Sequence, residues 1–449
     1  MRRACLLSLT AAVIAGCRTC SPPAEPCVEA RVAAVVPVKA TPQPIVQPAD
    51  PPSLPAQPQL GDLWSVAIDF NPALREAAAD WEGSLGQVVQ AGLYLNPDIT
   101  YQETGLGDSR NGAGTLNLFL RQEIITANKL KLAVAAAARG SDVAYLALVN
   151  RKFEVLGRIR RAYFDYIATS HVLEVNDEVV TSLVRDTETT RTLVEDVKSR
   201  PPVDLVRMKA LLEDAKAFRA LAAATYTASW KQLAAEVGVP DLPPPPEQPL
   251  FLNDLPALVA DDVTTRVLSA NTELQRLAMR IEQARAELSR AEVAAVPNVT
   301  IGAGYQNQFT VNQPGGIVNV QVPLPVWDRK QGLVQESQAR IVQAAAALQS
   351  ARTRLCRDIA EALGRYLGLK EQEDRLTREV LPLLVDSLKA VQELYEGGDP
   401  KRSFTDVLLA QQNLNATKLR RAEVRRLLLQ AFADLQTLMQ LDVDEPPAP

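Results

Sequence analysis

The chain repeats itself at an offset of 200 positions, and this duplication limits its fold more than any other feature. The stretches Asn71–Leu74 and Asn271–Leu274 share their first and last residues, and Pro97 and Pro297 each follow 26 positions after the asparagine. The residues after the two prolines also correspond, as Asp-Ile-Thr and Asn-Val-Thr. A register held over this distance predicts two copies of one structural unit.

The first part of each unit is predicted to be helical. Residues 62–95 carry apolar side chains at helical spacing, and Pro97 ends the pattern. Asp62 and Asn71 are suited to cap a helix or to interrupt it locally. The same arrangement is expected around Asn271 in the second unit.

A β-hairpin is predicted next in each unit. In the first, polar and apolar residues alternate over 98–106 and 115–125 on either side of a glycine-rich turn. In the second, the alternation covers 298–310 and 317–324, around Pro314–Gly316.

The strands then lead into long helices at matching places. At the offset of 200, Glu123–Thr126 stands opposite Pro323–Val326. From there the helical pattern continues for about 70 residues in each unit, which at 1.5 Å per residue spans about 100 Å. A second, shorter helix follows, ending near Gly238 in the first unit and near residue 441 in the second. Helices of this length with thin apolar stripes pack side by side as coiled-coil hairpins.

Four strands per chain cannot close a barrel, and an open sheet edge is not tolerated in hydrocarbon. Three copies would supply twelve strands, an even number within the range of outer-membrane barrels, and strands of about ten residues suit a tilted membrane strand. The predicted fold class is therefore mainly α with a small membrane β-barrel. Coiled-coil hairpins form an α-barrel, and a trimer with internally duplicated protomers forms the twelve-stranded barrel. Beyond the N-terminal region no uninterrupted apolar run of about 18 residues occurs, so no transmembrane helix is expected.

The first residues are typical of a bacterial export signal. Arg2 and Arg3 precede the apolar stretch Leu6–Ile14, and two small residues then stand before Cys17. This pattern predicts a signal peptide over residues 1–16. The small residues before a cysteine resemble the bacterial lipobox, so we expect Cys17 to be lipidated and to become the mature N-terminus. The alternatives are an ordinary signal peptide, or a tail in which the cysteines are coincidental.

The remaining boundaries follow from composition and from the repeat. Residues 17–60 are rich in proline and are predicted to form an extended tether behind the lipid anchor. The first repeat is assigned to 61–250 and the second to 251–441, and 442–449 is expected to be a disordered tail.

Composition argues against several function classes. The single histidine, His171, leaves no basis for a histidine-centred metal or acid–base site, and no Walker loop, nucleophile elbow or His-Glu-x-x-His motif is present. We therefore expect no enzyme activity, no catalytic residue, no cofactor and no metal site. A net charge of −5 offers no basic excess for nucleic acid. Cys20 and Cys27 could pair or stay free, and Cys356 falls within a helical pattern.

The order and spacing of these motifs resemble the TolC family of outer-membrane efflux proteins, nearest to its lipidated, proline-tethered branch of metal- and drug-efflux channels. The two Asn-x-x-Leu openings and the strand-starting prolines carry part of the resemblance. The segments Pro323–Gly332, Tyr395–Gly398 and Ser403–Leu408 carry the rest. The resemblance covers residues 60–441.

The resemblance implies a passive homotrimeric exit duct in the bacterial outer membrane, lipid-anchored and with a long periplasmic extension. Such a channel contacts outer-membrane lipid, docks onto a periplasmic adaptor (a membrane fusion protein) and, through it, onto an inner-membrane pump. The cargo would be small molecules or metal ions. Alternative functions are the outer-membrane component of type I protein secretion, or a periplasmic coiled-coil adaptor or structural protein.

The resemblance also assigns roles to the tips of the two helical hairpins. It places a gate at the periplasmic entrance and an adaptor contact at the turns. Three acidic groups brought together by symmetry repel one another unless they are paired or hydrated, so such a ring can filter cations. Asp204 and Asp406 could instead be N-terminal helix caps. The entrance residues are Asp204, Asp406, Arg402 and Tyr395, and the adaptor-contact residues are Pro201, Pro202, Gly397 and Gly398.

Overall fold

A computed structural model describes most of the chain between residues 54 and 442. The described ranges are 54–105, 114–197, 201–245, 255–256, 258–309, 313–396 and 404–442, with 395 and 396 described by their backbone alone. The predicted signal peptide, Cys17, most of the tether and nearly all of the tail lie outside these residues. Gly397, Gly398 and Arg402 lie outside them as well.

The first repeat consists of two short helices, a hairpin and two long helices. Its elements are α1 (Leu60–Phe70), α2 (Pro72–Gly92), β1 (Asp98–Thr104), β2 (Thr115–Ile124), α3 (Lys129–Arg191) and α4 (Pro202–Val237). A π-helical turn, Thr192–Asp196, extends α3 toward the tip of the hairpin.

The second repeat has the same order of elements. They are α5 (Ala260–Ala270), α6 (Thr272–Val293), β3 (Val299–Gln308), β4 (Gln313–Gln321), α7 (Gln331–Arg375), α8 (Leu381–Glu396) and α9 (Phe404–Leu438). A π-helical turn, Leu376–Val380, joins α7 to α8. The predicted fold class is confirmed, because each repeat is mostly helical and contributes one hairpin to a small antiparallel sheet.

Two equivalent asparagines divide the short helices. The side-chain oxygen of Asn71 accepts a hydrogen bond from the backbone N–H of Ala73 at 3.0 Å, and that of Asn271 accepts one from Leu274 at 3.1 Å. Each asparagine therefore caps the second helix of its pair and ends the first. Asp62 lies in the first turn of α1, where its carboxylate accepts a hydrogen bond from the backbone N–H of Gln59 at 2.9 Å.

The offset between the repeats changes from 200 to 202 within the hairpins. Thr104 pairs with Thr115 in the first hairpin, whereas the equivalent pair in the second is Gly304 with Ile317, two positions farther apart. Both repeats then enter their long helix through a left-handed residue, Asn128 or Lys330, 202 positions apart. The alignment of Glu123–Thr126 with Pro323–Val326 is therefore wrong by two residues, because the second hairpin is longer.

The four strands form one antiparallel sheet in the order β1-β2-β3-β4. The central β2–β3 pairing, with Ile124 opposite Val299 and Thr115 opposite Gln308, joins the two repeats. Strands β1 and β4 have no further partner among the described residues, so both edges of the sheet are open within one chain.

Helix α3 is the structural centre of the chain. It packs against α2 and α4 of its own repeat and against α6 and α9 of the other. One core lies among α1–α4 around Trp230, and the other lies among α3, α5, α7 and α9 around Phe432, which is 202 positions from Trp230. The duplication is therefore visible in the packing as well as in the order of elements.

Among the described residues, α3 with its π turn is the one helix long and apolar enough to cross a membrane, judged by length and composition alone. This criterion tolerates charged residues, and Arg139 and Asp142 interrupt the apolar run, so the finding does not contradict the expectation that no uninterrupted apolar run of about 18 residues occurs here. The contacts of α3 with four other helices give its apolar residues partners within the protein.

Candidate channel wall and entrance

The sheet has one apolar face, and this face is exposed. The pairing register places alternate residues of all four strands on the same side, as their sequence pattern predicts. Ile99 is 73% exposed and Val318 is 74% exposed. The other exposed apolar members of this face are Tyr101, Leu118, Leu120, Ile124, Ile301, Tyr305 and Val320. An apolar surface that spans a whole sheet suits a hydrocarbon environment.

The opposite face of the sheet is polar. It carries hydroxyl and amide side chains together with an ion pair between Arg121 and Asp98 at 3.0 Å. Arg121 also donates a hydrogen bond to the hydroxyl of Thr100 at 2.6 Å. The other polar members of this face are Gln102, Asn117, Gln306, Asn319 and Gln321. The two faces together are those of a membrane strand, lipid on one side and water on the other.

Polar side chains join the sheet to the helices below it. Asn298 donates to the carboxylate of Glu123 at 2.7 Å and accepts from the ammonium of Lys129 at 2.8 Å. The hydroxyl of Thr126 donates to the backbone oxygen of Pro297 at 2.6 Å. These bonds connect the end of β2 and the start of α3 to the start of β3, so the strands and helices are held as one wall.

The connections at the two open edges of the sheet are apolar and exposed. Tyr94 lies between α2 and β1, and Leu324 and Trp327 lie between β4 and α7. Trp327 is 87% exposed. Tyrosine and tryptophan are enriched where a membrane protein meets the headgroup region, and these positions adjoin the apolar face.

At the helical tips, Asp204 and Asp406 occupy equivalent places, 202 positions apart. Each is the third residue of its helix, α4 or α9. Pro201 is the N-cap of α4, so Asp204 is not the capping residue and that alternative is wrong for it. Asp406 is in the first turn of α9, and because the residues before Phe404 lie outside the described part, capping by Asp406 stays a prediction. Both carboxylates still lie in the first helical turn, where the positive end of the helix dipole favours an anion.

The two acidic residues differ in burial. Asp204 is 5% exposed, whereas Asp406 is partly exposed. Nearby, Leu183 of α3, Met208 of α4 and Phe404 of α9 form a small apolar cluster that brings the two hairpin tips together.

The other predicted tip residues are only partly visible in the structure. Pro201 and Pro202 begin α4, with Pro202 as its first residue. The backbone of Tyr395 lies at the end of α8. The assignment of these residues to a gate or an adaptor contact therefore stays a prediction.

A row of polar contacts along α3 and α9 joins the repeats, and it was not predicted from the sequence. Its partners are separated by more than 200 positions, and helical periodicity does not reveal such pairs. The contacts are Arg161–Asp434 at 2.8 Å, Arg426–Asp165 at 2.7 Å, Lys418–Glu178 at 3.9 Å and Gln411–Asp186 at 2.7 Å.

Burial changes the electrostatics of this row. It raises the pKa of Asp434 above its ordinary value even though Arg161 stabilises the ionised form. It also raises the pKa of Asp186, against the opposing effects of Arg185 and of the hydrogen bond from Gln411. Desolvation therefore outweighs the local partners at both carboxylates.

The second repeat also carries the match to a known family. Residues 263–439 match the family model described as "Outer membrane efflux protein".

Over this part, the chain resembles the outer membrane efflux protein family.

Individual relatives are similar over more of the chain. The chain is 24% identical over 364 residues to the cobalt-zinc-cadmium resistance protein CzcC of Cupriavidus metallidurans, covering 79% of this chain and 84% of CzcC. Its fold matches that of CusC with a TM-score of 0.71 at 16% identity, over 85% of this chain and 92% of CusC.

Two further outer-membrane proteins share this fold. VceC of Vibrio cholerae has a TM-score of 0.70 at 19% identity, over 85% of this chain and 96% of VceC. The open state of the MtrE outer membrane channel of Neisseria gonorrhoeae has a TM-score of 0.67 at 19% identity, over 88% of this chain and 94% of MtrE. Within the described part of the chain, no group of three or more histidine, cysteine or acidic side chains is placed to hold a metal ion.

Proposed function

We propose that three copies of this chain form an outer-membrane exit duct, the passive channel of a tripartite efflux pump. The observation that carries the proposal is the sheet, with an exposed apolar face, a polar face and two open edges. In hydrocarbon an unpaired edge leaves backbone donors and acceptors without partners, at several kcal/mol each. Pairing β4 of each copy with β1 of the next removes every edge and gives twelve strands.

The long helices support the same assembly. Helix α4 exposes Val206 and Leu221, each at more than 60%, and the α7–α8 helix exposes Val342 and Leu383 to a similar extent. These side chains have no covering helix among the described elements of one chain. Lateral packing of α4 against α7 and α8 of a neighbouring copy would bury both stripes and close the helices into a barrel.

The proposal extends to the anchor and the partners. Lipid on Cys17 would hold the mature end at the membrane, and the proline-rich segment would link it to the body. A periplasmic adaptor would dock at the hairpin tips, at Pro201, Pro202, Gly397 and Gly398, and would connect the duct to an inner-membrane pump. Because CzcC is named for cobalt, zinc and cadmium resistance, divalent metal ions are the first cargo to test.

The entrance of the duct is assigned to the tips that carry Asp406 and Asp204, together with Arg402 and Tyr395. Three copies of the partly exposed Asp406, related by the threefold axis, would place an acidic ring across the pathway. Asp204 is buried in its own protomer, so its carboxylate reaches the pathway only when the tip helices separate.

Two measurements on the detergent-purified protein test the proposal. Native mass spectrometry is expected to give three chains per particle, each with added lipid mass that is lost in Cys17→Ser. The wild-type particle is expected to open ion-conducting pores in planar bilayers. A monomer, or a trimer that conducts no ions, would exclude the duct. A conducting trimer without lipid mass would exclude only the anchor.

A further inference from the structure

The seam between the two repeats inside one chain gives a template for the seam between two chains. Strand β2 of the first repeat pairs with β3 of the second in a fixed register. When the duplicated units continue around a ring, β4 of one protomer meets β1 of the next in the same way, because β4 is the copy of β2 and β1 is the copy of β3. This step rests on the proposed trimer.

We propose that the subunits pair in the register of the internal seam, so that Gln321 lies directly opposite Thr104 of the partner subunit. The internal template is Phe119 opposite Gly304. An offset of 202 converts Phe119 to Gln321, and an offset of 200 converts Gly304 to Thr104. The next pair along, Leu120 opposite Ala303, converts to Val322 opposite Glu103 of the partner subunit.

The two faces of the sheet limit the alternatives. A slip of one residue would turn every β1 side chain to the other face and place the apolar Ile99 and Tyr101 among polar residues. The nearest competing registers are therefore slips of two residues. One of these would place Gln321 opposite Gln102 of the partner subunit.

Side-chain size is compatible with the template register. In the internal seam, bulky residues of β2 lie over glycines of β3. A Cβ on Gly304 would come within 2.8 Å of the Phe119 ring, and one on Gly302 within 3.0 Å of Cγ of Arg121. In the subunit seam, Pro323 takes the place of Arg121 and leaves room for Gln102 of the partner subunit. At this pair, the larger side chain belongs to β2 in the internal seam and to β1 of the partner subunit in the subunit seam.

The prolines also define where the ladder ends. Pro323 and Pro325 have no N–H to donate, and β4 ends at Gln321 in its pairing with β3. The pair of Gln321 with Thr104 of the partner subunit therefore lies at the end of the observed β4 ladder, and the pair of Val322 with Glu103 of the partner subunit is the last before Pro323. Both pairs precede the prolines and are used for crosslinks.

Cysteine crosslinking distinguishes the registers. In a background with Cys20, Cys27 and Cys356 changed to serine, the variant Gln321→Cys with Thr104→Cys is oxidised in isolated outer membranes. The matched control keeps Gln321→Cys and adds Gln102→Cys, on the same strand and face. A slip of two residues moves a Cβ by about 7 Å along the strand, beyond the reach of a disulfide. We expect the first variant to shift from monomer to covalent trimer on non-reducing gels, and the control to stay monomeric.

A second pair of cysteine substitutions tests the register independently, so that the result does not depend on the disulfide geometry at one position. Val322→Cys with Glu103→Cys is the neighbouring predicted pair, and Val322→Cys with Tyr101→Cys is its control. Crosslinking in a control, or in neither predicted pair, overturns the register. Native mass and conductance of each variant are measured before oxidation. A conducting trimer with the wrong crosslinks refutes only this register, whereas loss of the trimer in the wild-type protein refutes the duct itself.

Discussion

At the scale of single residues, Asp186 has the clearest physical consequence. Its carboxylate accepts a hydrogen bond from the side-chain amide of Gln411 at 2.7 Å and links α3 to α9. Burial nevertheless raises its pKa, and the hydroxyl of Ser182 and the guanidinium of Arg185 offset this only in part. The ionised form is therefore less favourable in the folded protein than in the unfolded chain.

The raised pKa makes stability depend on pH in a defined direction. Because the folded-state pKa is raised, the folded protein binds the proton more tightly than the unfolded chain does. The free energy of unfolding therefore increases as pH falls through the raised pKa. Asp186→Asn keeps an acceptor for Gln411 and removes this titration. We expect the variant to be at least as stable as the wild type at neutral pH, with an advantage that shrinks toward acid. Thermal unfolding between about pH 7 and about pH 3.5 measures this difference, because the titration is complete only below the ordinary pKa of an aspartate.

The exposed Glu188 on the same helix provides the control. Glu188→Gln removes the same charge without relieving a buried carboxylate, so its stability relative to the wild type should show no comparable trend. A pH-independent difference between Asp186→Asn and the wild type would contradict the assignment of the shift to burial.

Single residues also show what one sequence can and cannot reveal. Asn71 and Asn271 were identifiable as caps or breaks, because an asparagine before a helical pattern carries a local signal. The burial of Asp204 was not identifiable, since it depends on how α3, α4 and α9 come together at the tips. The pairing of Asp165 with Arg426, 261 positions away, has no local signature either.

At the scale of elements, the π-helical turn Leu376–Val380 marks a local change in helical winding. The backbone N–H of Leu381 donates to the oxygen of Leu376, five positions back instead of four. Pro382 follows immediately, has no N–H, and would crowd the carbonyl of Arg378 in a regular helix. The wider turn fits this proline into a helix that continues to Glu396. Beyond it, α8 packs mainly against α9.

Pro382→Ala should stabilise the helix at the junction between α7 and α8. It restores a backbone donor and removes the ring, and a proline within a helix costs up to about 3 kcal/mol relative to alanine. We expect slower amide hydrogen exchange over residues 377–386. Pro202→Ala is the matched control, because Pro202 is the first residue of α4, where no helical N–H bond is lost. Equal effects of the two substitutions would exclude this account of the π turn.

At the scale of the whole molecule, the two faces of the sheet decide where the protein can reside. Val318 and Asn319 are neighbours on β4 but lie on opposite faces. Val318→Arg would place a charge toward lipid, at about 2–4 kcal/mol per copy near the bilayer midplane. Asn319→Arg would place the same charge in the aqueous interior.

We therefore expect Val318→Arg to reduce the amount of trimer in the outer-membrane fraction strongly. Asn319→Arg should assemble normally and shift the ion selectivity of the pore toward anions. Quantitative blotting of membrane fractions and reversal potentials in planar bilayers measure these effects. Equal insertion of the two variants would mean that the apolar face does not contact lipid.

The architecture as a whole was more predictable than its details. Duplication, alternating strands and long helical patterns are periodic, so they can be recognised in a single sequence. The two-residue change of offset between Gly304 and Ile317 was missed, because a hairpin can lengthen without disturbing either strand pattern. The polar row between α3 and α9 was missed because it depends on which helices become neighbours.

The pairing of β2 with β3 also limits when the sheet can form during folding. At the end of this pairing, Asn298 donates a hydrogen bond to Glu123, 175 positions away. The first hairpin therefore cannot find its partner until α3, α4 and the first part of the second repeat, up to β3, have been made. Contacts this distant in sequence form slowly, and unpaired apolar strands aggregate while they wait. The interval between synthesis of the second strand and synthesis of the third is thus the one in which the unpaired first hairpin is most exposed to aggregation.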